Sequence, residues 1–579
     1  MTSHETATPH ASATPNEPVH GGHHAIAAAR ASGAQALFTL SGAHIFPLYD
    51  AAVGGSQAVQ QARSPRVAER AGPVRLVDVR HEQAAVFAAE AVGKLTRTPG
   101  FAAVTAGPGV TNAISAVTGA WMNGSPVVLV GGRAPEHRWG SGALQELDHV
   151  PVMAPVTKAA WTIRDPAAIH SQMAAAFTMA STAHRGPVFV DIPMDVLFTP
   201  AVATPSADAD SPTTTAPGPV TGDLERAGDL LRGAARPVVV VGSDVWAGAA
   251  VDAARDFVHA RQLPVIANGM GRGIFAPDDP LLVTRARSRA FRDADVVIVV
   301  GAPLDFRLGY GTFGPKDGSA NSPVPVVHVI DAPSQIATHA AQAIPVIGDI
   351  TTCLQALNEQ AGATSPDSHW LTQLATDAQA AWAADAELLA SDADPIHPAR
   401  IYAEVRTRQS PDDVLIGDGG DFVSFAGRFL EPGVPGRWLD PGPFGCLGTG
   451  PGYALGASVA IEGAHPWLLM GDGAAGFSLM DVDTLVRHQV PVTIVVGNNS
   501  GWGLEKHPMR FLYGYDVIAD LEPTAYDDVV RALGGAGETV TDPNQIGAAF
   551  DRARSYRGPY LVNILTDPEV AYPRSTTGI

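Results

Sequence analysis

The stretch GDGAAGFSLMDVDTLVRHQVPVTIVVGNN, residues 471–499, places an aspartate between two glycines and ends, after an apolar run, on two asparagines. The run PWLLM precedes it and PVTIVV lies within it, so a helix-length segment separates two short apolar strands. Strands joined in this way lie parallel, and ligands of such sheets bind beyond the carboxyl ends of the strands. We therefore expect Asp472 and Asn499 to lie at one edge of a sheet, beside a ligand.

The same alternation of short β-branched strands and helices recurs along most of the chain, as in FAAVTA, GPVFVDIP, RPVVVVGS and ADVVIVVGAP. It predicts an α/β fold with three doubly wound parallel-sheet domains, each covered by helices on both faces. Composition shifts divide the chain into a disordered tail 1–21, a first domain 22–198, a linker 199–222, a central domain 223–358, a connector 359–394 and a third domain with a C-terminal tail, 395–579.

Composition excludes several classes of protein. The 579 residues are 46% apolar and 17% charged, which is typical of a large folded enzyme that acts on small molecules. A net charge of -20 opposes binding to nucleic acid or to an anionic membrane. Two cysteines, no signal-peptide pattern and no apolar run long enough for a membrane span favour a cytoplasmic protein. The adjacent His23 and His24 lie just after the expected tail, and such a pair by itself favours no metal site.

The edge of the sheet beside Asp472 is suited to bind magnesium diphosphate, because it offers oxygen ligands and a backbone that a ligand can approach closely. Asp472 and Asn499 carry the oxygens that a hard cation prefers. Gly471 and Gly473 let the backbone approach a ligand, and amides at the helix start, such as that of Ala474, bind phosphate oxygens. Taken singly, Asp-Gly and Asn-Asn are also common turn sequences. Their occurrence at two successive strand ends predicts the magnesium diphosphate site.

Gly-Asp-Gly followed by Asn-Asn at this spacing resembles the signature of thiamin diphosphate enzymes. The resemblance implies that Asp472, Asn499 and the backbone carbonyl of Gly501 hold Mg²⁺, which in turn holds the diphosphate of the cofactor. It also places Asp421, at the end of DVLIGDGGD, in the cofactor site.

The resemblance continues in the first domain, where RHEQAA contains Glu82 and TAGPGVTNA contains Gly107, Pro108 and Asn112. In the family, a glutamate at the Glu82 position bonds to the aminopyrimidine ring and drives the tautomer that takes the proton from the thiazolium carbon. A glutamate at a helix start is otherwise a residue that stabilises the helix dipole. The other three positions resemble the glycine-proline turn of the family.

The segment GPFGCLGTGPGYALGA in the third domain resembles the one where the family places a large apolar side chain beneath the cofactor. Leu447 matches that position, and a core leucine is the alternative. In the family the cofactor lies between the first domain of one subunit and the third domain of another. We therefore expect a homodimer or homotetramer in which Glu82 and Asp472 meet across the interface.

The order of the three domains is that of the acetolactate synthase branch. Two groups compete within it: acetolactate synthases, and 2-hydroxyacyl-CoA lyases with oxalyl-CoA decarboxylase. Gln145 and Lys158 match both groups, Lys158 as a candidate contact for CoA. Leu144 and Gln145 stand where oxalyl-CoA decarboxylase has Tyr-Glu, which disfavours that decarboxylation. After the asparagines the chain reads SGWGLEKHPMRFLYGYD, without the Met-x-x-Gln-Trp segment of acetolactate synthases, which disfavours acetolactate formation.

Trp502 and Glu505 take the place of that segment, and we expect them near the thiazolium. The Glu505 carboxylate is predicted to accept the proton of a 2-hydroxyl group as a carbon-carbon bond breaks, or to return a proton afterwards. Its alternative is a surface salt bridge with Lys506 or Arg510. His44, after the first strand of the first domain, is expected either to shuttle protons or to form a structural hydrogen bond.

The central domain carries arginines that suit phosphates and aspartates that suit ribose: Arg285, Arg287, Asp305, Arg307 and Asp331. The FAD of acetolactate synthases and the ADP or CoA nucleotide of the acyl-CoA relatives would both satisfy them, and a domain without a ligand is a third alternative. The terminal VAYPRSTTGI resembles tails that fold over a bound thioester, which makes Arg574 and Ser575 candidate contacts. A solvated chain end is the alternative.

These features predict a thiamin diphosphate- and Mg²⁺-dependent lyase that cleaves a 2-hydroxyacyl-CoA to formyl-CoA and an aldehyde or ketone. Glu82 would activate the cofactor, while Gln145, Glu505 and His44 handle protons. Acetolactate synthase is the alternative, and a catalytically silent nucleotide-binding regulator is the alternative of another class.

Overall fold

The computed structural model describes residues 18–62, 64–203, 221–315, 323–362, 366–570 and 572. Three parallel sheets follow one another along the chain, which confirms the predicted α/β fold with three parallel-sheet domains.

The strands of the N-terminal domain are β1 Val19–His20, β2 Ala36–Thr39, β3 Arg75–Asp78, β4 Gly100–Val104, β5 Val127–Arg133, β6 Ala159–Thr162, β7 Pro187–Pro193 and β8 Pro200–Ala201. Its helices are α1 Gly21–Ala31, α2 Phe46–Val53, α3 Gly55–Gln61, α4 Pro65–Ala71, α5 Glu82–Thr96, α6 Pro108–Met122, α7 Val150–Met153, α8 Ile169–Ser181 and α9 Met194–Phe198.

The central domain contains the strands β9 Pro237–Val241, β10 Val265–Ala267, β11 Val296–Val300, β12 Val326–Ile330 and β13 Ala343–Ile347. Its helices are α10 Thr221–Gly233, α11 Ser243–Ala247, α12 Val251–Arg261, α13 Arg287–Asp293 and α14 Ile350–Ala361, and the connector forms one long helix, α15 Ser368–Leu389.

The strands of the C-terminal domain are β14 Val414–Asp418, β15 Trp438–Leu439, β16 Pro466–Gly471, β17 Val492–Asn498, β18 Ala536–Val540 and β19 Pro559–Leu565. Its helices are α16 Ala399–Arg408, α17 Gly420–Phe429, α18 Gly450–Ala460, α19 Asp472–Ser478, α20 Val482–Arg487, α21 Gly503–Tyr513, α22 Tyr526–Ala532 and α23 Ile546–Ser555.

The two outer domains have the same strand order. It is β3-β2-β4-β5-β7-β6 in the N-terminal sheet and β15-β14-β16-β17-β19-β18 in the C-terminal sheet. In both sheets, the strand that comes first in the chain lies between the second and the third. The chain therefore changes its direction of winding between that first strand and the third. A crevice forms at such a point because the two connections leave it on opposite faces. This topology places the residues after β14 and β16 around one crevice, and those after β2 and β4 around another.

Ordered elements begin inside the segments predicted as tail and linker, whose remaining residues 1–17 and 204–220 lie outside the described ranges. β1 pairs antiparallel with β8, with Val19 opposite Ala201, and α1 begins at Gly21 rather than after it. α10 already begins at Thr221, inside the expected linker. β1 and β8 have two residues each and lie far apart in the chain, so their pairing produces no local sequence pattern. The sequence therefore could not predict that an ordered strand begins at Val19.

The long apolar runs of the chain form buried strands. Every residue of β9, PVVVV, and of β11, VVIVV, is buried, because central parallel strands are covered by helices on both faces. Within the described ranges, no helix is both long enough and apolar enough to cross a bilayer.

The N-terminal and C-terminal domains pack closely through α5 and α18. Gly452 and Gly456 of α18 face α5, and a Cβ at Gly452 would lie 2.7 Å from the Phe87 Cβ. Glu90 of α5 is fully buried, and its carboxylate accepts hydrogen bonds from Asn123, Ser125 and the Tyr453 hydroxyl. Glycine lets the two helices approach, and the carboxylate fixes their register.

This contact makes Gly456 sensitive to a single added carbon. A Cβ there would overlap the Ala88 carbonyl oxygen, so we expect Gly456→Ala to lower the free energy of unfolding by about 1–3 kcal/mol through overpacking. Gly233→Ala is the matched control, because that helical glycine has no atom within 4 Å of the new methyl group. Denaturant unfolding of both variants provides the measurement. Equal stability of the two would show that the helices have room to separate.

Candidate active site

Asp472 begins α19 directly after β16, and its side chain is buried. Its Oδ1 accepts a hydrogen bond from the Gly473 amide at 3.0 Å and its Oδ2 one from the Gly501 amide at 3.1 Å. Burial raises the pKa of Asp472 to about 6, although the hydrogen bonds from these amides act to lower it. A buried carboxylate with backbone donors as its hydrogen-bond partners is a site that a cation would stabilise.

The two asparagines at the end of β17 have different surroundings. Asn498 is buried, and its Nδ2 donates to the Thr524 carbonyl at 3.2 Å and to Asn563 Oδ1 at 3.1 Å, so it stabilises the sheet. Asn499 lies in the wall of the cavity that also contains Asp472 and Gly501. The three expected magnesium ligands are therefore found around one cavity.

This cavity has a volume of about 860 Å³ and also has Asp421, Gly471, Gly473, Ala474 and Leu447 in its wall. Gly419, at the turn after β14, has φ +88°, which favours glycine. No atom lies within 4 Å of a Cβ at Gly471, whereas one at Gly473 would lie 2.5 Å from the Trp502 ring. The Trp502 indole thus lies directly against the backbone at the start of α19, with an edge-to-face contact to Phe477 at 6.3 Å. A buried carboxylate beside an open glycine surface at the start of a helix fits a diphosphate held through Mg²⁺.

The segment carrying Leu447 is fixed by a buried carboxylate. Asp418, at the end of β14, accepts hydrogen bonds from the amides of Gly448 at 3.1 Å and Gly450 at 2.8 Å. Burial raises the pKa of Asp418 to about 7. Leu447 is half-buried, packs against the core shared by the outer domains and lines the same cavity as Asp472.

Glu82 is the first residue of α5 and is buried. Its Oε2 accepts a hydrogen bond from Asn112 Nδ2 at 3.1 Å. Two residues that are expected to lie in the cofactor site are therefore hydrogen-bonded to each other. Glu82 is not among the residues that line the cavity of Asp472 and Asn499.

The glycine-proline turn is held by a buried chain of polar groups that sequence reasoning missed. Gly107, with φ +60°, donates from its amide to His149 Nε2 at 2.9 Å. His149 Nδ1 lies 3.2 Å from Asp191 Oδ2, which also accepts from Arg133 Nη1 at 2.9 Å. Since Nε2 accepts, Nδ1 is the protonated nitrogen of His149. His149 and Asp191 lie 42 residues apart in the chain, and no local pattern links them.

His44 and Gln145 meet beside this turn. His44 is buried, and its Nδ1 lies 3.1 Å from Thr105 Oγ1, which lies 3.5 Å from Gln145 Oε1. Burial lowers the pKa of His44, although a hydrogen bond to the Leu144 backbone acts to raise it. Gln145 has φ +60° and packs against Gly107, where a Cβ would lie 2.9 Å from its own Cβ. The structure contains the hydrogen bond considered as the alternative for His44.

Glu505 lies in the first turn of α21, is exposed and lines the same cavity as Asp472. Burial of its carboxyl group raises the pKa, and the nearby Asp421 raises it further. Lys506 instead pairs with Asp520 at 2.8 Å, and Arg510 with Asp516 at 2.8 Å. The salt bridge considered as the alternative for Glu505 is therefore absent from the described chain.

Of the arginines and aspartates proposed for a nucleotide, four line one or both of two cavities, whereas Asp331 lines neither. Arg285, Arg287 and Arg307 border the cavity of Asp472 at its central-domain end. Arg285 also pairs with Asp385, and Arg287 donates to the Arg307 carbonyl.

Asp305 and Arg307 pair at 2.7 Å and line a second cavity, of about 570 Å³, to which all three domains contribute residues. Asp331 pairs with His184 and Arg185, and Lys158 donates to the carbonyls of Met179 and Thr182. Burial lowers the pKa of Lys158 to about 8. The remaining candidates, Arg574 and Ser575, lie outside the described residues.

Comparison with known proteins identifies the class of these domains. Residues 19–152 match the N-terminal TPP binding domain of thiamine pyrophosphate enzymes, residues 224–357 the central domain and residues 418–564 the C-terminal TPP binding domain. The chain therefore belongs to the thiamine pyrophosphate enzyme family, as the sequence predicted, and is a thiamin diphosphate-dependent enzyme.

Two kinds of relative align over almost the whole chain. Acetolactate synthase large subunit IlvG of Mycobacterium tuberculosis is 45% identical over 563 residues, which cover 97% of this chain and 98% of the relative. 2-Hydroxyacyl-CoA lyase 2 of Bos taurus is 34% identical over 592 residues, covering 94% and 90%. Its Homo sapiens counterpart is 33% identical with the same coverage.

The contact between Gly473 and Trp502 leads to a prediction about cofactor affinity. Gly473→Ala would push the indole away from α19, so we expect thiamin diphosphate to bind about tenfold more weakly or worse. Gly476→Ala in the same helix is the control, since no atom lies within 4 Å of its new methyl group. Titration of Trp fluorescence with the cofactor, at fixed Mg²⁺, measures both affinities. Unchanged affinity for thiamin diphosphate in Gly473→Ala would show that Trp502 does not contribute to the cofactor site.

Proposed function

We propose that this protein is a thiamin diphosphate- and Mg²⁺-dependent carbon-carbon lyase that cleaves a 2-hydroxyacyl-CoA to formyl-CoA and an aldehyde or ketone. The observation that carries the proposal is the extent of one cavity. It runs from Asp472, Asn499 and Glu505 to Arg287 and Arg307 of the central domain. A small 2-oxoacid needs little of this length, whereas a CoA thioester has phosphates that suit guanidinium groups far from its reacting carbon.

Asp472, Asn499 and the carbonyl of Gly501 would hold Mg²⁺ and, through it, the diphosphate, with the amides of Gly473 and Ala474 beside the phosphates. When bound, thiamin diphosphate would supply a thiazolium carbon that, once deprotonated, adds to a carbonyl carbon and accepts the electron pair of the cleaved bond. The half-buried Leu447 would support the cofactor from below.

Glu82 would hold a proton at the pyrimidine ring, and Asn112 would orient its carboxylate through the 3.1 Å hydrogen bond. Since the cavity of Asp472 does not include Glu82, we propose that the first domain of a second copy of this chain completes the site. The active enzyme would then be a homodimer or homotetramer in the cytoplasm.

Glu505 would accept the proton of the substrate 2-hydroxyl group. Its raised pKa suits a group that gains and loses a proton during turnover, and it has Trp502 close by in the cavity wall. Gln145 and His44, linked through Thr105, would hold or move a proton on the pyrimidine side. Arg285, Arg287, Asp305 and Arg307 would contact CoA, ADP or FAD.

Acetolactate synthase is the second candidate, and a specific observation favours it: the 45% identity to a relative named for that activity. Against it stands α21, which carries Glu505 where the acetolactate synthases have their Met-x-x-Gln-Trp segment.

Products distinguish the two candidates directly. Purified protein with thiamin diphosphate and Mg²⁺ is offered pyruvate in one reaction and a short 2-hydroxyacyl-CoA in another, and the products are identified by mass spectrometry. We expect formyl-CoA with an aldehyde or ketone, and no acetolactate. Acetolactate as the only product would overturn the lyase proposal.

Replacing Glu505 with glutamine tests its role in this reaction. Without a proton acceptor, kcat for the thioester should fall by about 100-fold while the affinity for thiamin diphosphate stays unchanged. Glu569→Gln is the control, because Glu569 contacts Arg510 and Lys506 of the same helix from outside. A similar loss in both variants would mean that the helix position matters rather than the Glu505 carboxylate.

Replacing Glu82 with glutamine tests its role in activating the cofactor. We expect turnover to fall by about 10²–10⁴-fold, with the cofactor still bound, because glutamine cannot donate the proton that activates the pyrimidine. Turnover and cofactor affinity are measured on the same preparation. Full turnover in Glu82→Gln would contradict the assigned role.

A further inference from the structure

Two histidines that sequence alone left without a role converge on one carboxylate. His20 ends β1, and His23 lies in the first turn of α1. The Nε2 atoms of His20 and His23 lie 3.1 Å and 3.8 Å from the same atom, Asp50 Oδ2 in α2. The two rings lie side by side, with centroids 4.2 Å apart. One nitrogen from each imidazole and one carboxylate oxygen all lie within 4.8 Å of one another.

These separations fit a single metal ion. Around a tetrahedral Zn²⁺ with bonds of about 2.0–2.1 Å, neighbouring ligand atoms lie about 3.3 Å apart. The two measured nitrogen-oxygen separations bracket that value, so small side-chain rotations would bring all three atoms into a coordination sphere. The site is accessible as well, since the side chains of His23 and Asp50 are 37% and 49% exposed.

The backbone holds the three donors in place. α1 crosses α2 at Gly22, where an added Cβ would overlap the Pro47 carbonyl oxygen. The two helices are therefore in contact close to His23 and Asp50. β1 is fixed by its pairing with β8. Ligands carried by packed elements lose little freedom on binding a metal.

The Asp50 carboxylate supplies the oxygen donor of the group, and both imidazoles face its Oδ2 atom. The neighbouring His24 is engaged elsewhere, because its Nε2 bonds to the Ala201 carbonyl at 3.0 Å.

A second histidine-aspartate group lacks these properties. His184, Asp244 and Asp331 lie within the same range of separations. There, however, Arg185 pairs with Asp331 at 3.2 Å, and Gln335 donates to Asp244 at 2.7 Å. A cation would have to displace a guanidinium group, so this group is an ion network between two domains.

We propose that His20, His23 and Asp50 form a surface site for Zn²⁺ or a similar borderline divalent cation, with water completing its coordination. Two nitrogen ligands and one oxygen ligand select such an ion over the Mg²⁺ required at the cofactor, which prefers oxygen. The bound ion joins β1 to α2 within the N-terminal domain.

The test uses untagged full-length protein, freed of transition metals and kept with thiamin diphosphate and Mg²⁺. Zn²⁺ is titrated by calorimetry, and Co²⁺ is added separately because its visible spectrum reports tetrahedral coordination. The variants are His23→Gln and Asp50→Asn. The control is His137→Gln, which removes a histidine paired with an aspartate, Asp195, at 3.1 Å.

We expect the wild type and His137→Gln to bind Zn²⁺ with equal affinity and to melt at a higher temperature in its presence. Both site variants should lose that binding event and the rise in melting temperature. If the wild type takes up no Zn²⁺, or both site variants bind it as the control does, the proposed site is overturned. Circular dichroism of each variant without metal confirms that its fold is intact.

Discussion

The structure depends on a buried carboxylate at the carboxyl end of a parallel strand. Asp472 is taken out of water, and its two oxygens are held by the amides of Gly473 and Gly501, which belong to connections after neighbouring strands. Its charge is therefore fixed in place at the crevice where the winding of the sheet reverses. The surrounding glycines keep the backbone within reach of a ligand, and Trp502 closes one side.

The outer domains use one topology for two tasks. Their strand orders are the same, and each has a crevice beyond its first and third strands. In the C-terminal domain the crevice contains the acidic oxygen donors, whereas in the N-terminal domain it contains His44, Thr105 and the turn at Gly107. The proposed assembly brings one crevice of each kind together from two copies of the chain.

In the proposed mechanism, the choice of reaction depends on side chains outside the strand ends. Glu505 belongs to α21, and its neighbours Lys506 and Arg510 are paired with other acids, which leaves its carboxylate beside the cavity. The arginines at the far end of that cavity are partly engaged within the protein, Arg285 by Asp385. The phosphates of a substrate would have to displace the groups that these arginines contact within the protein. The affinity for such a substrate at this end of the cavity therefore depends on that exchange.

The sequence by itself determined the three α/β domains, the cofactor class and the positions of Asp472 and Asn499 at strand ends, because hydrophobic periodicity and strand-end residues are local signals. Only the tertiary structure showed the role of Asn498, whose side chain bonds to Thr524 and Asn563 and so stabilises the sheet. It also decided that His149 and Asp191 hold Gly107, and that Asp50 joins His20 and His23. Each of these groupings depends on side chains brought together by helix packing and strand pairing, which no local pattern in the chain records.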